Sequence, residues 1–309
     1  MSSGKRRYAL IEAPSVLGLR PTGVDKLPQS LIRNGLANRV GARHAERVDA
    51  PAYRPERDRD TGTLNAHAIA RWSTRLADAV EHVVERGECP VILGGDCSIL
   101  LGAMLAFRRR GRCGLLFVDG HADFYQPEMN PNGEAASMEL AFATGYGPRL
   151  LTNIEGRHPL VRSSDAVAFG FRDQDEQRRY GSQPLPPDLL TFDLEHIRTV
   201  GIRNAAAAAL GRLVRPDLDG FFLHFDADVL DDAVMPAVDY RQPDGLSWDE
   251  TTALLRMAMD TGRVTGLEVT IYNPELDAEG SAGRALTDML GAALGTSAAW
   301  RASVVTIGP

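Results

Sequence analysis

The sequence predicts an α/β fold: a single domain, residues 1–309, of three layers with helices on both faces of a mostly parallel sheet. Three observations carry the prediction. Short apolar runs recur along the 309 residues, stretches of helical spacing lie between them, and the two kinds alternate almost to the end of the chain. Such alternation builds a sheet whose crossovers place helices on both of its faces.

The elements follow in order. Residues 9–12 (Ala-Leu-Ile-Glu) form the first apolar run, and residues 50–62, rich in Pro, Arg and Asp, read as a surface loop. Helical spacing over 67–86 leads to the run 91–94, and spacing over 98–109 leads to the run 115–119. The run 166–170 precedes a second loop at 181–187, and a helix over 204–214, with an alanine run at 205–209, precedes the run 221–226. A helix over 247–259, a run at 264–271, a helix over 280–298 and a last run at 304–307 complete the pattern. Runs that are apolar throughout suit strands buried on both faces. Neither loop is long enough to link two domains. Trp72, Trp248 and Trp300 fall in helical patterns, where packing is the default role.

Composition narrows the function. Lys and Arg number 34 against 41 Asp and Glu, a net charge of −7. That balance disfavours nucleic acid and anionic membrane as partners and leaves a small-molecule substrate. Arg108, Arg109, Arg110 and Arg112 form the one basic cluster and read as a solvated helix end. Three cysteines, Cys89, Cys97 and Cys113, are too few and odd in number for a secreted disulfide framework. No apolar window is long enough to span a membrane, and the polar, basic start of the chain is not a signal peptide. A cytoplasmic location is expected. Gly94-Gly95 belongs to neither a dinucleotide nor a nucleotide-phosphate loop.

In open parallel sheets ligands bind beyond the carboxyl ends of the strands, so the polar residues closing the runs matter most. Three ends stand out: Gly94-Gly-Asp-Cys-Ser98, Asp119-Gly-His-Ala-Asp123 and His224-Phe-Asp-Ala-Asp228. With a side-chain period of two, Asp119, His121 and Asp123 point one way if extended, as do His224, Asp226 and Asp228. Carboxylates gathered at the end of a buried sheet repel one another unless a cation lies between them. Single aspartates often only cap turns, but two such clusters favour a pair of divalent metal ions. Carboxylate oxygen with imidazole nitrogen suits manganese, iron or zinc.

These motifs, with the late Asn273-Pro274, resemble the ureohydrolases: arginase, agmatinase and formimidoylglutamase. The resemblance spans about residues 85–275. It implies a single three-layer α/β/α domain of the arginase type and a homo-oligomer, trimer or hexamer. It also implies one ion on Cys97, Asp119, Asp123 and Asp226, the other on Asp119, His121, Asp226 and Asp228, with Asp119 and Asp226 bridging. A hydroxide held by the two ions would cleave a C–N bond of a linear amidine or guanidino compound.

The chain departs from the family pattern at several positions. Cys97 stands where the family has a histidine ligand. A thiolate there adds a negative charge and shifts preference from manganese, the first expectation, toward zinc or iron. A cysteine here also resembles the family members that hydrolyse N-hydroxyarginine. The loop histidine that moves protons in arginase falls on Ala136. Of the positions that meet the α-carboxylate in arginase, Tyr125, Asn132 and Glu134, only Asn132 keeps a comparable group; Asp175 matches the aspartate that meets the substrate amine. The glutamate that meets the guanidinium falls on Ile271. Glu268 is the carboxylate left on that strand, but three residues is an odd count, so the two should face opposite ways unless a bulge intervenes. Glu134 or Glu139 is then left for a cationic substrate, and His224, on the face of Asp226, is a candidate proton carrier. Two other readings stay open: hydrolysis of an amide on the same metal site, and a metal-binding relative without activity.

Overall fold

The most apolar runs of the sequence form the middle of one sheet. The computed structural model describes residues 6–295. Its strands are β1 (Tyr8–Ala13), β2 (Ala42–Arg47), β3 (Cys89–Gly94), β4 (Cys113–Val118), β5 (Ala166–Phe169), β6 (Leu190–Phe192), β7 (Gly220–Asp226) and β8 (Val264–Thr270). Their order is β2-β1-β3-β8-β7-β4-β5-β6. Every pairing is parallel, so the sheet among the described residues is wholly rather than mostly parallel. Each residue of β3, β4 and β7 is buried, as the unbroken apolar runs require of strands covered on both faces.

The helices are α1 (Leu27–Arg33), α2 (Leu36–Val40), α3 (Ala66–Glu85), α4 (Leu100–Arg110), α5 (Glu139–Ala143), α6 (Arg149–Thr152), α7 (Gln174–Tyr180), α8 (Leu194–Val200), α9 (Ile202–Leu213), α10 (Trp248–Asp260) and α11 (Ser281–Leu294). One core unites α3, α4, α5 and α6 with the sheet face bearing Ile11, Ile92, Phe117 and Phe222. The other unites α1, α2 and α8 to α11 with the opposite face. The helical stripe of α3, with Ile69, Trp72, Leu76, Val80 and Val83 buried, lies against α4. A side chain at Gly102 of α4 would come within 2.9 Å of Leu76, so glycine lets the two helices approach. Ser247 and Glu250 start α10 with a reciprocal capping box.

The surface loops over 50–62 and 181–187 are as expected, and the alanine run lies in α9. Two strands escaped the sequence. β2 and β6 are the sheet edges, and β2 is polar and partly exposed because it has a neighbour on one side only. The last apolar run, the tail of the final helix and Trp300 lie outside the described residues. Trp72 is packed in the core and Trp248 lies partly buried against it. The arginine cluster forms ion pairs rather than a free basic patch: Arg109 meets Asp78, Glu81 and Glu155, and Arg112 meets Asp165 and Asp217.

Consecutive strands β3 and β4 lie on either side of β8 and β7. The chain thus changes direction across the sheet, and a crevice opens beyond the carboxyl ends of these four strands.

Candidate metal centre

Each chemical motif lies at one of those strand ends, and in each an aspartate ties down the local turn. Beyond β3, the Asp96 carboxylate accepts the backbone N–H of Ser98 at 2.9 Å and the Ser15 hydroxyl at 2.9 Å, capping the turn that holds Cys97. β4 ends at Val118, so Asp119 to Asp123 form a loop rather than an extended strand. Asp119 Oδ1 accepts the N–H of His121 at 2.7 Å. Beyond β7, Asp226 Oδ1 accepts the N–H of Asp228 at 2.7 Å, and Asp228 Oδ1 accepts that of Gly120 at 3.0 Å. In Asp119, Asp226 and Asp228 one oxygen thus fixes the backbone, while the other faces a potential donor: His224, Cys97 and His121 respectively.

The remaining donors converge in three overlapping groups: Cys97, Asp119, His224 and Asp226; Asp119, His121 and Asp228; and Asp119, Asp123 and Glu139. Within each group the candidate ligand atoms lie within 4.8 Å of one another. Cys97 Sγ is 2.6 Å from Asp226 Oδ2 and 3.1 Å from Thr270 Oγ1. His121 Nδ1 is 2.9 Å from Asp228 Oδ2. The His121 side chain is 17% exposed, whereas His224 is fully enclosed.

Buried atoms without a hydrogen-bond partner mark the same place: Asp119 Oδ2, His224 Nε2 and both carboxyl oxygens of Glu139. Burial, then the neighbouring charges of Asp228 and Asp119, pushes Asp226 far above the usual carboxylate range. Burial and Glu139 do the same to Asp123, and burial and Asp119 to Glu139. Burial raises Asp119 as well, but the imidazoles of His121 and His224 more than offset this and hold it low. Those imidazoles are raised despite burial, by Asp228 and Asp119 around His121 and by Asp119 and Glu268 around His224. The Cys97 thiol is pushed well up by burial and then by Asp226. Buried carboxyls whose ionisation is disfavoured, crowded beside imidazoles whose protonation is favoured, form a donor set that divalent cations would balance, so these residues fit divalent metal ions.

Above the donors the crevice is lined by Asn132, Glu134 and Tyr240 on one side and by Asp173, Glu176 and Tyr180 on the other. Glu134 is 2% exposed; it accepts from Arg20 Nε at 3.1 Å and from the Tyr240 hydroxyl at 2.7 Å. Asn132 Nδ2 donates to Tyr240 at 3.1 Å. Ala136 and Ile271 also line the crevice. Ile271 has φ of +69°, a left-handed conformation that β-branched residues avoid.

Four candidate roles are corrected. Asp175, expected to meet the substrate amine, sits on the outer side of α7 with its side chain 93% exposed and paired to Arg178; Asp173 and Glu176 line the crevice instead. Glu268, a candidate for the guanidinium although its odd spacing from Ile271 predicted the opposite face, is fully enclosed and 2.7 Å from His224 Nδ1, and it does not line the crevice. His224, expected to carry protons, is sealed from solvent and is absent from the crevice lining. Glu139, expected at most to meet a cation, is buried among the donors. Its sequence signal was a lone carboxylate in the apolar stretch Met138-Glu-Leu-Ala-Phe-Ala143. Tyr240 and Glu176 had none, lying in a loop and on a polar helix.

Comparison with known proteins agrees with the geometry. A family model described as the arginase family matches residues 7–299. Arginase from Bacillus caldovelox is 28% identical over 294 residues, covering 93% of this chain and 97% of that protein. The native structure of that arginase superposes with a TM-score of 0.84 at 25% identity, covering 95% of this chain and 99% of that one. Formimidoylglutamase from Bacillus subtilis shares the fold, with a TM-score of 0.71 at 18% identity over 95% of this chain and 88% of that one.

Proposed function

The chain belongs to the arginase family, metal-dependent hydrolases of C–N bonds in guanidino and amidino compounds, and on that premise we propose that it hydrolyses a cationic linear guanidino or amidino compound. The observation that carries this reading is the convergence of Cys97, Asp119, His121, Asp123, Asp226 and Asp228 beneath a crevice lined by carboxylates and tyrosines.

Family membership supports two divalent ions, one held by Cys97, Asp119, Asp123 and Asp226 and the other by Asp119, His121, Asp226 and Asp228. Manganese is the first candidate, with zinc or iron favoured by the cysteine. When bound, such a pair acidifies a water and offsets charge developing on the attacked carbon's substituents. The protein's own groups do the rest. Asp119 belongs to all three donor groups, and with Asp226 it would contribute to both ions, as family membership implies. Asp173 and Glu176 draw a cationic group into the crevice, while the Asn132–Tyr240–Glu134 network orients the polar end of the substrate. Ile271 places an apolar wall where the family's guanidinium glutamate is expected. That wall favours a substrate whose amidine carbon is less strongly gripped than that of free arginine.

A homo-oligomer, trimer or hexamer, rests on family membership. No helix among the described residues is long and apolar enough to cross a membrane. The free, buried Cys89, Cys97 and Cys113 fit the reducing cytoplasm.

The test is a panel of guanidino, formimino and acetamido compounds with metal-loaded protein, assayed for urea, formamide and acetate. Urea or formamide is expected. Acetate alone would transfer the reading to amide hydrolysis, and no turnover by protein holding two ions would favour a binding relative.

A further inference from the structure

His224 has a place in the sheet that no solvated proton carrier needs. It is the Cα partner of Phe117 on β4 and of Glu268 on β8, in the buried middle of the sheet. Its ring stacks on Phe117, with centroids 4.5 Å apart and planes inclined by 7°. Nδ1 lies 2.7 Å from Glu268 Oε1. The stack and the hydrogen bond fix the ring. With Nδ1 donating to Glu268, Nε2 is the nitrogen left to face Asp119 Oδ2, 3.5 Å away, and in the neutral ring it carries the lone pair. Neither of these two buried atoms has a hydrogen-bond partner.

A core histidine kept for packing closes both ring nitrogens, because an open one costs about 1–3 kcal/mol when buried. This one keeps a nitrogen open toward an equally open carboxylate oxygen. Cys97 and Asp226 complete the group, all four ligand atoms lying within 4.8 Å of one another. A carboxylate behind an imidazole is also the usual way in which a ligating histidine is oriented and made more basic.

Resting on the family reading of a two-ion centre, we infer that His224 is a ligand of the inner ion, supplying from β7 the imidazole that position 97 lacks, with Glu268 as its positioning residue. The inner site then offers sulfur, nitrogen and carboxylate oxygen, a set suited to zinc or iron(II). The outer site, with Asp119, His121, Asp226 and Asp228, is rich in oxygen and suits manganese. The two seats therefore differ in metal preference.

The test titrates metal-free, full-length protein with Co²⁺ and follows bound metal and the visible and near-ultraviolet spectrum. Wild type is expected to take two ions and to show a thiolate-to-cobalt band. His224→Ala should weaken the inner ion by about a hundredfold or more and change the cobalt spectrum. Glu268→Gln should weaken it roughly tenfold, within the range seen for partners of ligating histidines. His121→Ala should lose the outer ion and keep the thiolate band. Since His224→Ala leaves a space against Phe117, His224→Asn is measured beside it, and circular dichroism of each metal-free variant establishes folding. Two ions at wild-type affinity with an unchanged spectrum in either folded His224 variant would overturn the inference and leave the family reading intact. A wild-type chain that takes no ion would overturn both.

Discussion

The backbone N–H of Ile271 donates to the carbonyl of Gly95 at 2.9 Å, joining the ends of β8 and β3 at the floor of the crevice. The bond helps hold Ile271 in its left-handed turn, so that its side chain faces the crevice although Glu268, three residues earlier, faces His224. Gly95 has no room for a side chain, since a Cβ there would stand 1.7 Å from the Ser15 carbonyl oxygen. Gly95→Ala is expected to destabilise the protein by more than about 3 kcal/mol, read from denaturant midpoints, because backbone rather than a flexible side chain obstructs it. A loss below about 1 kcal/mol would show that the β1 end yields.

Ile271→Glu should lower KM for guanidino substrates, because it returns a carboxylate to the apolar wall. Steady-state kinetics on a guanidino and a formimino compound check this. An unchanged KM ratio between the two would mean that position 271 does not meet the reacting group.

Glu176→Ala should raise KM for a cationic substrate roughly fivefold, the worth of one exposed ion pair. Asp175→Ala should change it less than twofold, since Asp175 points away and pairs with Arg178. The opposite ranking would return the substrate amine to Asp175.

Glu139→Gln should act with opposite signs on the two forms of the protein. Burial and Asp119 penalise the Glu139 carboxylate in the metal-free chain. Its removal should raise the metal-free Tm by a few degrees, about 1 kcal/mol. The same change should weaken metal binding, so the stabilisation conferred by added metal shrinks. Calorimetry with and without chelator reads both, and a fall in both forms would contradict the argument.

Far from the crevice, Asp165 is 1% exposed and accepts from Arg112 Nε at 2.7 Å and from Arg215. Burial alone would raise its carboxyl, but the two guanidinium groups outweigh burial and hold it low. A carboxylate lowered on folding contributes stability above its unfolded pKa and loses it as the pH falls through the folded value. Asp165→Asn should therefore cost about 2 kcal/mol near neutrality and progressively less below about pH 4. Urea melts across pH 3–7 measure this, and a constant difference would exclude the carboxylate's charge as the cause.

The sequence spoke most clearly where burial forced its pattern. β3, β4, β7 and β8 are enclosed on both faces but for Thr265 of β8, and their apolar runs stood out; β2, with one neighbour and water beside it, carries no such run. The same holds for the donors. Asp119, Asp123, Asp226 and Asp228 were conspicuous because carboxylates are costly at the end of an apolar strand. Glu139 and Glu268 interrupt apolar segments just as sharply, yet what they face depends on pairing between distant strands and on a loop fold. His224 and Glu268 are 44 residues apart in sequence, and only the register of β7 on β8 makes them partners. Alternation along a strand gave Asp226 and His224 a common face but misjudged the segment after Val118, where turns replace the strand. Asp175 went astray because it was placed by correspondence, while the helix there presents Glu176 inward.

The two imidazoles lie at unequal depth, His121 at the crevice and His224 enclosed behind it. On the proposed two-ion reading, that difference would give the centre an order in time: an ion bound for the deeper seat would enter before the shallower one is filled and leave after it is emptied. A chelator would then draw on two successive reservoirs rather than one.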